Sequence, residues 1–271
     1  MCSSDLLCLM NLVWAGFVTI ARAEQTTVTF RAEDGWPLMG TLHMPDKKSD
    51  RPIPGVVLMA EPEWIVRSTF DAEDRGPALA KKFGVAALSL DMRGSGGSLG
   101  SQYFATFSPA DMEKLQMDVR AAIKFLSSQA NVDPNRIGVL GAGDGAKYAL
   151  LESMENPAVQ ALALVSGAFD EKAMNYLRRG KELPMFFVAA KDDPDSFRES
   201  AGAFSLSKSK HSDFYAAAKG HGTVIFSHEE GLVDKVMAWF AETLQGLGTE
   251  KLITMNTPDG WTLYGKLRLP D

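Results

Sequence analysis

Three side chains have the types and spacing to do chemistry together: Asp144, Asp193 and His221. Asp144 lies in Arg136 to Leu150, RIGVLGAGDGAKYAL, where the apolar run Ile137 to Leu140 meets a glycine-rich turn and then a helical pattern. That is strand, tight turn, helix. The glycines around Asp144 would let strand and helix close around a sharply turned residue, expected to be Asp144 itself. A carboxylate there needs no base, being ionised at pH 7 and helped by the amino end of the helix it precedes. Asp193 follows another apolar strand, in Lys191-Asp192-Asp193-Pro194, with Asp192 a close rival. An Asp-Pro pair is also an ordinary helix start. His221 sits in Lys219-Gly220-His221-Gly222-Thr223, where glycines would let an imidazole stand on an exposed turn.

The elements that must position these groups can be read from periodicity. Thr26 to Asp46 reads as a hairpin with an Asp34-Gly35 turn. Ile53 to Met59, Val85 to Leu90, Ile137 to Leu140, Ala161 to Val165, Pro184 to Ala190 and Phe214 to Ala217 read as strands, several of them continuously apolar as in a parallel sheet buried on both faces. Helical patterns cover about 71 to 83, 109 to 129 and 229 to 244. This alternation predicts an α/β protein, a mostly parallel central sheet with an N-terminal antiparallel hairpin and helices on both faces. Asp91, Asp144, Asp193 and His221 each follow a predicted strand, so they should gather at the sheet's carboxyl end.

Gly141-Ala142-Gly143-Asp144-Gly145 resembles the nucleophile elbow of the α/β-hydrolase family, G-x-S-x-G. Asp91-Met92-Arg93-Gly94-Ser95-Gly96-Gly97-Ser98 resembles the D-x-R-G-x-G-x-S segment of its dienelactone-hydrolase and acyl-peptidase-like members, a segment that specifies fold more than reaction. The resemblance implies an α/β-hydrolase fold over most of residues 26 to 244. It puts Asp144 in the serine's place, Asp193 as the acid and His221 as the histidine. It also implies backbone oxyanion donors at Gly145 and in the Ala60-Glu61-Pro62 segment. Glu61 either points into the site or stands on its rim, and Pro62 has no N–H to donate.

Carboxylate attack on an ester gives a mixed anhydride, a poor intermediate, whereas attack on saturated carbon is sensible chemistry. The haloalkane dehalogenase and epoxide hydrolase branches of the fold work that way, with His221 then activating water and Asp193 orienting it. Three features oppose that route. Gly145 stands where the dehalogenase pattern has Trp, residues 166 to 183 are too few for a cap domain, and the oxyanion loop is altered. Asp144 beside His221 would also hold a static carboxylate–imidazolium pair, to which Asp193 on the other side adds. Lys147, three residues on, either turns toward the cleft and offsets charge or is an ordinary surface lysine. The leading expectation is a degenerate hydrolase with little esterase activity, serving as a binding or assembly scaffold. The alternatives are an aspartate-nucleophile hydrolase and a carboxylic-ester hydrolase varied at residue 144.

Composition narrows the partners. Net charge is -6 with no basic tract, which argues against nucleic acid. Leu6 to Ile20 is nearly unbroken apolar sequence closing on Ala21-Arg22-Ala23, a signal-peptide pattern, so export to the periplasm or beyond with cleavage near Ala23 is expected. Both cysteines, Cys2 and Cys8, fall inside that segment, leaving a mature chain without disulfides. His43, His211 and His228 lack partners at ligand spacing, so no metal site is expected. Without a dinucleotide fingerprint or P-loop no cofactor is expected either, and the small-molecule ligand stays unnamed. Finally, Thr254 to Asp271 repeats the pattern of Thr29 to Asp46 in Asp-Gly-Trp, Leu, Gly, Leu and Pro-Asp. The expected domains are therefore 24–248 and a hairpin, 249–271, which either opens a second tandem domain or joins a homodimer.

Overall fold

The computed structural model describes residues 24–46, 49–61, 75–180, 182–246, 251–256 and 262–267. The expected signal peptide, Pro62 and the start of the helix expected from residue 71 lie outside the described residues.

Eight strands form one sheet: β1 (Glu24–Arg31), β2 (Pro37–Met44), β3 (Ile53–Met59), β4 (Ala86–Asp91), β5 (Val132–Ala142), β6 (Val159–Val165), β7 (Met185–Ala190) and β8 (Asp213–Ala217). Their order is β1-β2-β4-β3-β5-β6-β7-β8. β1 and β2 pair antiparallel, β2 meets β4 antiparallel, and every later pairing is parallel. The central strands are apolar runs because both their faces are covered. One core lies between the sheet and the helices α3 (Leu115–Ser127), α4 (Asp144–Glu155), α5 (Glu171–Arg179) and α6 (Pro194–Leu206). The other lies against α1 (Arg75–Phe83), α7 (Ile225–His228) and α8 (Leu232–Leu244).

The helix expected over 109 to 129 is two, α2 (Pro109–Glu113) and α3, divided at Lys114. Ser108 starts the first with a capping box in which its side chain and that of Asp111 satisfy each other's backbone amides. The Asp91 to Ser98 segment is a folding device. Asp91 accepts from the Gly97 amide at 2.7 Å, and buried Arg93 pairs with Asp118 at 2.8 Å and with Asp34 of the hairpin turn at 2.7 Å. Two further strands, β9 (Lys251–Asn256) and β10 (Thr262–Leu267), form a separate antiparallel pair. Among the described residues no helix is long and apolar enough to cross a membrane.

Candidate active site

β5 runs through the middle of the sheet and ends at Ala142; α4 begins at Asp144. The residue between them, Gly143, has φ 54° and ψ −124°. Its amide donates to the Val165 carbonyl at 2.9 Å, and its carbonyl accepts from Ala146. The sharp turn expected at Asp144 therefore falls one residue earlier. Gly143 is also the central residue of the five from Gly141 to Gly145, the serine's place in G-x-S-x-G. The physical reason is the positive φ: glycine enters that region without the Cβ collision that penalises other residues. Asp144 is instead the first, half-buried residue of α4. The amide following the turn residue is then that of Asp144, not Gly145, which lies within the helix's first turn. Gly141 is needed for another reason, because a side chain there would run into the Gly145 carbonyl.

The histidine and its acid do come together. His221 Nδ1 lies 2.5 Å from Asp193 Oδ2. Asp193 also caps α6, accepting from the Ser196 amide at 3.4 Å, so the helix-start role and the orienting role coexist in one carboxylate. Burial pushes Asp193 up, but hydrogen bonds from His221 and Ser196 outweigh it and hold the carboxyl below its usual range. The rival Asp192 accepts from the Gly220 amide at 2.9 Å and so shapes the histidine turn from the other side. Gly222 donates to Ser166 Oγ at 2.9 Å, which ties that turn to the end of β6, where Ser166 itself has φ 47°. With Nδ1 on Asp193, Nε2 is the nitrogen left for chemistry. Among the described residues the hydrogen bonds of His221 run to Asp193 and Ser196, not to Asp144.

The space over the elbow is filled from β3. Glu61, two residues past that strand, reaches between the two turns. A methyl group built on Gly143 would meet its Cγ at 2.5 Å, and one built on Gly222 would coincide with its Oε1. Both carboxyl oxygens are buried, and neither completes a hydrogen bond of good geometry among the described residues. Burial raises the Glu61 carboxyl above the usual range, against the pull of the His221 charge and of Thr223. Arg75, fully buried on α1, lies over the Phe226 ring at 4.6 Å and donates to the Thr223 carbonyl at 3.4 Å. Burial lowers it to about 10, and the Glu61 charge works the other way. Lys147 points elsewhere, to Asp170 at 3.2 Å. Periodicity could flag neither Arg75 nor the path of Glu61.

The arrangement supplies an imidazole oriented by a carboxylate, facing a buried carboxyl, over a turn residue that has no side chain. It can move protons; at position 143 it cannot form a covalent bond to substrate.

The dienelactone hydrolase family model matches residues 91–230. No curated protein is significantly similar. Among solved structures, a dienelactone hydrolase from Anabaena variabilis is 19% identical over 82% of this chain and 97% of its own, with a TM-score of 0.64. The Pyrococcus furiosus esterase Pf2001 is 16% identical over 82% and 94%, TM-score 0.64. The esterase domain of a Rhodothermus marinus protein is 17% identical over 82% and 100%, TM-score 0.61. At such identities the likeness is one of fold.

Proposed function

The chain belongs to the dienelactone hydrolase family, and on that premise we propose that it is a degenerate hydrolase. It has little esterase activity and is kept as a binding or assembly scaffold. The observation that carries this reading is the pairing of Gly143, at the positive-φ turn, with the Glu61 side chain in the space a nucleophile would need. Acyl transfer in this fold requires a side chain that attacks the carbonyl, and a histidine alone cannot replace it. Export, with cleavage near Ala23, is part of the same proposal and is read directly by sequencing the amino terminus of the mature protein.

The test restores what is missing. Wild type is expected to show neither turnover of short-chain p-nitrophenyl esters nor labelling by fluorophosphonates. Gly143→Ser alone is expected to stay silent, because its Cβ meets Glu61. Gly143→Ser with Glu61→Ala is expected to gain esterase activity of about 10²-fold over background, lost again in His221→Ala. Wild-type turnover that vanishes in Asp144→Asn would replace this reading with the aspartate-nucleophile one. Turnover that vanishes in Glu61→Gln would assign the chemistry to the buried carboxyl.

A further inference from the structure

Two turns meet over the centre of the sheet, and the end of β6 holds both. The Val165 carbonyl accepts from the Gly143 amide at 2.9 Å, and one residue later Ser166 Oγ accepts from the Gly222 amide at 2.9 Å. The Ser166 amide itself continues the sheet, donating to the Val188 carbonyl at 2.8 Å. Ser166 is buried, so its hydroxyl reaches the histidine turn away from water.

That reach strains the backbone. Among the described residues, only Asn131 and Ser166 combine a side chain with a positive φ, at 71° and 47°. Asparagine tolerates the left-handed region, whereas serine enters it against the contact between its Cβ and the following carbonyl. Glycine would take the same conformation freely. What serine adds at 166 is one oxygen, and the Gly222 amide is where that oxygen goes. Without it a buried N–H would lose its acceptor.

The turn is held from the other side as well. The Gly220 amide donates to Asp192 Oδ1 at 2.9 Å, so the peptides before and after His221 are fixed to the ends of two neighbouring strands, β6 and β7. The ring completes the arrangement through Nδ1 on Asp193. Nδ1 then carries the proton given to the carboxylate, and Nε2 of the neutral ring offers a lone pair.

We propose that Ser166 is a positioning residue for His221. Its hydroxyl, carried on a strained backbone, sets the gap between the elbow and the histidine turn and keeps Nδ1 on Asp193. It acts through His221 alone, since whatever occupies the cleft meets Nε2. The role stands whether or not the site turns over a substrate.

Ser166→Gly separates the strain from the hydrogen bond. It relaxes the backbone while removing the oxygen, so the full chain is expected to unfold within about 2 °C of wild type. The ring is expected to change all the same. Nitrogen-15 NMR at about pH 9, where ordinary histidines are neutral, reads the ratio of the two imidazole tautomers. Wild type is expected to hold His221 chiefly as the Nδ1–H form, and Ser166→Gly to lower that ratio about tenfold. Ser166→Ala, which keeps the strain, is expected to give the same lowered ratio at a midpoint down by roughly 4 °C. In Gly143→Ser with Glu61→Ala, adding Ser166→Gly is expected to lower kcat about tenfold at unchanged KM. This last readout rests on the degenerate-hydrolase reading; an inactive parent counts against that reading, and the tautomer ratio still decides the role of Ser166. A wild-type ratio in both Ser166 variants overturns it, as does an Nε2–H ring in wild type.

Discussion

At the scale of single residues, the site turns on where one carboxyl group keeps its proton. Burial raises Glu61 above its ordinary value of 4.5, so the folded state holds that proton more tightly than the unfolded chain does. The sign follows from linkage: the contribution to stability is complete below the unfolded value and is lost as pH rises through the folded one. Glu61→Gln removes the charge without removing the volume. It should therefore stabilise the protein at pH 8 by on the order of 1 kcal/mol, and the advantage should vanish toward pH 4. Urea unfolding at the two pH values measures it; a mutant equally or less stable at pH 8 would mean that the ionised carboxyl is adequately paired. Sequence could place Glu61 just beyond β3 but could not choose between site and rim, because no repeating pattern governs a side chain past the end of a strand. The elbow misled for a related reason. In a run with glycine at 141, 143 and 145, attention falls on the one residue with a reactive side chain, whereas backbone geometry selects the one with none.

The elements themselves were largely legible, since each central strand is an apolar run and α3 and α8 carry three-to-four spacing. What the pattern missed is the break at Lys114, a matter of capping by Ser108 and Asp111 rather than of hydrophobicity. The crossing of β5 and α4 gives the sharpest test at this scale. A methyl group on Gly141 would drive into the Gly145 carbonyl, whereas one on Gly145 would find nothing nearer than 3.6 Å. Gly141→Ala should accordingly cost about 3 kcal/mol, the upper end of ordinary overpacking, because backbone must move away from backbone. Gly145→Ala, inside a helix with room to spare, should be neutral or stabilise by roughly 0.5 kcal/mol. Equal effects in chemical unfolding would show that strand and helix are not held in this close contact.

For the whole molecule, the two similar hairpins have opposite structural weight. β2 lies between β1 and β4, and its turn supplies Asp34 to Arg93, whose other partner, Asp118, is completely buried. Removing residues 24–46 would expose the β4 edge and leave Arg93 with Asp118 alone of the two carboxylates it pairs with. β9 and β10 pair with each other and with no other described strand. A chain ending at Gly246 keeps all eight strands of the sheet and α8 entire. It should unfold within about 2 °C of the full chain, the shift expected from well under 1 kcal/mol in a domain of this size, whereas a chain beginning at residue 47 should fail to give a cooperative transition. Calorimetry on the two truncations compares them directly. If loss of the second hairpin lowered the midpoint as far as loss of the first, that hairpin would have to be seated on this domain.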